Sequence, residues 1–303
     1  MGYALIFSGQ GMQHPAMLPW LENTEPLRLA AQRLEIRDWR ERLSDPAWLS
    51  ANRHAQLLLT ACALAAWGQI APHLPPPDMI AGYSVGEVAA YSAAGVFGVD
   101  TALQLAEQRA AAMDACALDQ PGGMLGVTGL PLARVQQVCD AQGLYVAIDN
   151  GPMSCVLGGL AERLPAAELA CQALGANCTR LPIGVASHTP LMTDARIAFE
   201  KVLASSAFLD PTLPLLASAN ATRIRDATQA KYTLAAQIDR TLLWNECMET
   251  LHARGVHCVL EVGAGHSLAR LWNQRFEDVA ARSVDEFRSV HRIAQWVSYH
   301  QGS

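Results

Sequence analysis

The sequence predicts an α/β fold: a parallel sheet flanked by helices, interrupted by a small inserted domain. Three observations carry this. Short apolar runs alternate with helical segments along most of the chain, from Tyr3 to Val262. Gly82-Tyr83-Ser84-Val85-Gly86 reads G-x-S-x-G and stands between an apolar run and a small-residue helical run. At Asp119-Gln120-Pro121-Gly122-Gly123 the composition shifts, and a different rhythm begins. With 303 residues, 51% hydrophobic and 17% charged, the chain is long enough for one large and one small domain and apolar enough to fill a core.

In chain order, residues 3–7 form an apolar strand running into Ser8-Gly9-Gln10-Gly11-Met12-Gln13, with a helix expected after Pro15. Residues 26–50 look like short helices. His54 to Ile70 is apolar all round, so it is a buried helix. Met79-Ile80-Ala81 is a strand, Ser84 its turn, and Glu87 to Ala94 a helix stopped by Gly95. Thr101 to about Asp114 is the next helix; its Arg109 stands among alanines, either solvated or projecting into a pocket. Then come a strand at 124–128, a helix at 131–142, strands at 144–148 and 155–157, a helix at 160–174 and a strand at 178–181. That β-α-β-β-α-β order is the split βαβ, ferredoxin-like pattern. A loop, Val185-Ala186-Ser187-His188-Thr189-Pro190, leads back to alternating strand and helix as far as the strand 256–262 and its closing Gly263-Ala264-Gly265. The tail beyond about Glu277 has no clear pattern.

Composition excludes several functions. A net charge of −6 argues against bulk nucleic-acid binding. No apolar run approaches the roughly 18 residues of a membrane span, and the N-terminus reads as a strand and not a leader because it lacks a positive region. Eight cysteines without C-x-x-C spacing suit reduced thiols in a cytoplasmic protein, and no metal site is expected.

The chemistry centres on Ser84. A serine on a strand-to-helix turn stands clear of the backbone and can act as a nucleophile. The three fixed positions alone match by chance in roughly one chain in ten of this length, so a base must be found. His188 lies in a loop after a strand and before a helix, at the sheet end where open α/β folds bind ligands. His266, after Gly263-Ala264-Gly265, is the rival base. The glycine-rich turn around Gln10 leaves backbone N–H groups free for an oxyanion.

Five ordered motifs resemble malonyl-CoA:acyl-carrier-protein transacylases. They are Gly9-Gln10-Gly11, Gly82 to Glu87, Arg109, Ser187-His188 and Glu261-Val262-Gly263-Ala264-Gly265, and they cover nearly the whole chain. The resemblance implies an α/β-hydrolase-like catalytic domain at 1–121 and 187–303 around a ferredoxin-like domain at 122–186. It implies that Ser84 takes a malonyl group from malonyl-CoA with His188 as base. The acyl group then passes to a phosphopantetheine-type arm on an acyl carrier protein, with no permanently bound cofactor. Backbone N–H groups of Gln10 and Val85 would form the oxyanion hole, Arg109 would hold the malonyl carboxylate, and the carbonyl of Leu243 would orient His188. Tyr83 where the family usually has His, with Ser8 and Ala264 where Pro is common, is most similar to the epsilon-subunit branch of malonate decarboxylases, whose partner is the decarboxylase's own carrier subunit. Alternatives are a fatty-acid or trans-acting polyketide malonyl or methylmalonyl transferase, an α/β-hydrolase esterase using His266 or His257, and a non-catalytic scaffold subunit.

Overall fold

The computed structural model describes residues 2–118 and 120–301, so Met1, Asp119, Gly302 and Ser303 lie outside the described residues. The chain opens with β1 (Tyr3–Phe7) and passes through α1 (Glu25–Arg33), α2 (Trp39–Arg42) and α3 (Pro46–Ser50) to the long α4 (Asn52–Ile70). β2 (Met79–Gly82), α5 (Gly86–Ala93) and α6 (Val99–Ala117) follow. Next come β3 (Gly122–Thr128), α7 (Leu132–Gln142), β4 (Tyr145–Gly151), β5 (Ser154–Leu160), α8 (Leu164–Ala173) and β6 (Asn177–Arg180). The remainder runs α9 (Thr193–Ser205), β7 (Leu215–Leu216), β8 (Arg223–Ile224), α10 (Ala227–Ala236), β9 (Leu242–Leu243), α11 (Trp244–Ala253), β10 (Cys258–Val262), α12 (Ser267–Arg275), β11 (Ala280–Ser283) and α13 (Val290–Gln301).

The larger sheet has the order β11-β10-β1-β2-β7-β8. It is parallel except for β8, which turns back antiparallel on β7. All five residues of β1 are buried, as a central parallel strand covered by helices on both faces requires. The smaller sheet has the order β6-β3-β5-β4-β9. Its first four strands, with α7 and α8, realise the expected β-α-β-β-α-β pattern. The fifth strand is β9, which returns from far along the chain to pair parallel with β4. Nothing in a two-residue strand advertises this pairing, because register over so short a run is set by tertiary contact.

Three further expectations are corrected. No helix follows Pro15; the segment up to Glu25 is turns, held in part by the Asp285 carboxylate, which accepts from Leu18 N. The tail is structured, adding β11 and α13. One helical stretch among the described residues, Asn52–His73, is long and apolar enough to cross a membrane, contrary to the reading that no such run exists. It is instead the central helix of the main core, where 13 residues of α4 are buried, including Leu57, Leu58 and Leu59. Gln56 and Thr60 are the polar exceptions buried with them. All eight cysteines are free thiols. Burial pushes those of Cys139, Cys155 and Cys258 up to about 12.

Candidate active site

β1, β2 and β10 run parallel, so their carboxyl ends deliver three loops to one place. These are the turn after Phe7, the turn carrying Ser84, and the turn around Gly263 to His266. Ser84 itself sits at φ +56, a left-handed conformation that a non-glycine residue adopts only where its surroundings impose it. Both flanking glycines are required by close packing. A Cβ on Gly82 would lie 2.4 Å from the Glu87 backbone, and one on Gly86 2.4 Å from the Phe7 carbonyl. The G-x-S-x-G spacing is therefore a packing requirement of a tight strand-to-helix turn that presents the serine hydroxyl.

The Ser84 Oγ lies 2.8 Å from His188 Nε2. His188 is also held at positive φ (+61), and its backbone N–H donates to the Ile238 carbonyl at 2.9 Å. On the far side of the ring, Nδ1 donates to the Gln237 carbonyl. A carbonyl only accepts, so Nδ1 carries the hydrogen and Nε2 presents its lone pair to the serine. This corrects the expectation for Leu243: the carbonyl that orients the ring is that of Gln237, just past the end of α10. Leu243 lies in β9, with its N–H on the Ser218 carbonyl at 2.8 Å, and belongs to the edge of the smaller sheet. His266 forms the exposed N-terminal boundary of α12 and makes no hydrogen bond to Ser84, so the rival base is not assembled.

Arg109 lies near the middle of α6 and is 1% exposed. Its Nη1 donates to Gln56 Oε1 at 2.7 Å, and its Nη2 donates to Gln237 Oε1 at 3.0 Å and to Ser84 Oγ at 3.3 Å. Its Nε is buried without a partner among the described residues. No carboxylate among the described residues forms an ion pair with it. Burial lowers its pKa to about 10, opposed by the field of Glu87. The Glu87 carboxyl is itself pushed up to about 8 by burial, against the 2.6 Å hydrogen bond it accepts from Ser218 N. His188 is driven down to about 3 by burial and then by the Arg109 charge, while the Gln237 carbonyl works the other way. The imidazole is therefore neutral near pH 7 and available to accept a proton.

Ser84, His188, Arg109 and Gln10 line one cavity of about 520 Å³ between the two sheets. The backbone N–H groups of Gln10 and Val85 donate to no acceptor among the described residues, as an oxyanion site requires. Sequence reading did not find Gln56 and Gln237, which fix the guanidinium. Gln56 left one signal, a buried amide on an otherwise apolar helix. Gln237 left none, since its part is played half by a main-chain oxygen.

The chain matches the acyl transferase domain family over residues 4–292. The chain belongs to the acyl transferase family. Similar curated relatives include the malonyl CoA-acyl carrier protein transacylase of Salmonella typhimurium, 30% identical over 94% of this chain and 96% of that protein. The enzyme of the same description from Mycobacterium tuberculosis is 31% identical over 96% and 99%. Among solved structures, FabD from Acinetobacter baumannii superposes with a TM-score of 0.89 at 25% identity, covering 98% of each chain. A malonyl-transacylase in complex with a type II polyketide synthase acyl-carrier protein (PlMCAT:AntF) gives a TM-score of 0.89 at 27% identity, covering 97% of this acyltransferase and 99% of that chain.

Proposed function

We propose that this acyltransferase moves a malonyl group from malonyl-CoA, through an ester on Ser84, to the thiol of an acyl carrier protein's prosthetic arm. The observation that carries the proposal is Arg109: a buried guanidinium within 3.3 Å of the nucleophile and without a carboxylate partner among the described residues. An uncompensated buried cation is costly, and a substrate carboxylate placed there removes the cost. A neutral acetyl group does not, so charge selects a dicarboxylic acyl group.

The steps follow from the hydrogen bonds. Ser84 Oγ attacks the thioester carbonyl as His188 Nε2 takes its proton. The carbonyl oxygen gains the charge against the N–H groups of Gln10 and Val85. The C–S bond breaks, His188 returns the proton to the departing CoA thiolate, and the malonyl ester stays on Ser84. A carrier thiol then gives its proton to His188 and attacks the ester; the bond to Ser84 Oγ breaks, His188 returns the proton to that oxygen, and the malonyl group leaves as a thioester of the carrier.

Tyr83, Ser8 and Ala264 support a finer reading in which the carrier is the carrier subunit of malonate decarboxylase. Intact-mass measurement after mixing with malonyl-CoA tests the first half-reaction: a malonyl adduct is expected, and Ser84→Ala is expected to lose it. No adduct on the wild-type chain would sink the proposal. Presenting the charged protein to carriers with phosphopantetheine and dephospho-CoA-type arms separates the decarboxylase reading from a fatty-acid or polyketide partner.

A further inference from the structure

Among the described residues, the cavity that contains Ser84 is lined by two guanidinium groups and by no carboxylate. Arg109 is the inner one, buried at the nucleophile. The other is Arg270, exposed on α12. Six of the twenty arginines form ion pairs among the described residues, among them Arg275 on the same helix, which pairs with Glu249. Arg270 has no such partner among the described residues. Between the two cations the wall is largely uncharged, with Met124, Val156, Leu181 and Leu271 among its residues.

We propose that Arg270 binds the phosphate of the pantetheine-type arm, so that the cavity holds its thioester at two anions, the acyl carboxylate on Arg109 and the arm phosphate on Arg270. This rests on the malonyl-transfer reading above and adds a second recognition point to it. A guanidinium suits the task because its planar donors match phosphate oxygens two at a time. An exposed position also suits it, since the phosphate ends the arm and must stay near solvent while the thioester reaches inward. The uncharged wall between fits the amide and methylene chain that joins them.

The arm phosphate is present both in CoA and on a carrier, whereas CoA adds nucleotide phosphates of its own. Three donors separate these sources: malonyl-CoA, malonyl-4′-phosphopantetheine and malonyl-pantetheine, which lacks phosphate. The wild-type chain is expected to acylate Ser84 with a higher kcat/KM from the one-phosphate donor than from the phosphate-free one. In Arg270→Ala and Arg270→Glu that preference is expected to collapse about tenfold or more, with Arg270→Lys intermediate. Arg134→Ala removes an exposed arginine from α7, outside the cavity lining, and controls for net charge. A preference unchanged by Arg270→Ala overturns the proposal, as does a loss confined to malonyl-CoA, which would assign Arg270 to the nucleotide phosphates. A wild-type chain that gives no adduct from any donor fails the transfer reading itself and the phosphate site with it.

Discussion

Arg109 acts twice on the same serine. It offers a charge to the substrate carboxylate, and its field helps hold His188 at a pKa of about 3, below the ordinary imidazole value of about 6.5. A bound malonyl carboxylate cancels much of that field, so His188 becomes a stronger base once the correct substrate is in place. The pH dependence follows. The acid limb of kcat/KM, which reports the free enzyme, is expected well below 6.5, and the acid limb of kcat, which reports the complex, at higher pH. Arg109→Gln removes one of the two depressing causes and should move the kcat/KM limb up toward 6.5 while lowering its plateau. A wild-type limb at or above 6.5 would contradict this account. The same shift has a stability consequence. His188 binds a proton more readily in the unfolded chain, so its contribution is fully present above about 6.5 and is lost as pH falls toward about 3. Glu87 runs in the opposite sense. Its raised pKa favours the neutral fold, and that contribution fades as pH rises from the ordinary carboxyl range through about 8.

At the scale of elements, the loop after β10 is held by two carboxyls, Asp285, which accepts from Gly265 N at 2.7 Å, and Glu261. Glu261 accepts from Ala269 N at 2.7 Å, from Leu268 N at 3.3 Å and from Ser8 Oγ at 2.8 Å. It thereby satisfies the first turn of α12 and ties the ends of β1 and β10 together, giving Ser8 a structural role. Glu261→Gln leaves one acceptor oxygen and turns an amide NH2 toward a donor. It is expected to cost about 1–3 kcal/mol, read from the urea midpoint, and an unchanged midpoint would rule out this tie. The G-x-S-x-G turn was legible in sequence because backbone contact allows only glycine at 82 and 86. The strands and helices of the β-α-β-β-α-β segment were legible because their apolar periodicity covers several residues each. β8 and β9 were not, because two-residue strands have no period. The carbonyl on His188 was misplaced onto Leu243 because a main-chain oxygen leaves no mark on residue type. Ser84, His188 and Arg109, whose parts depend on side-chain chemistry, were all named and are found together.

At the scale of the whole molecule, the site is a seam between two sheets, and its geometry depends on how firmly the seam is closed. β9 pairs with β4, and Thr241 Oγ1 donates to the Val146 carbonyl at 2.7 Å. Closest to the chemistry, Tyr83 Oη donates to Asn150 Oδ1 at 3.1 Å, and the ring meets Trp244 edge-on with centroids 5.2 Å apart. Burial pushes the phenol pKa up, so the hydroxyl keeps its proton and remains a donor. Tyr83 is joined covalently to Ser84 on the larger sheet, while Asn150 belongs to β4 of the smaller one, so this hydrogen bond links the nucleophile turn to the opposite wall of the cavity. Tyr83→Phe keeps the ring packing and removes only the link. It is expected to lower stability by about 1 kcal/mol and, because the cavity walls are then less firmly set, to raise KM for malonyl-CoA more than it lowers kcat. Asn150→Ala should produce the same KM change, and the double variant should add little to either, the signature of two residues sharing one interaction. Losses that add fully in the double variant, or a drop confined to kcat, would show that Tyr83 acts on Ser84 without the opposite sheet.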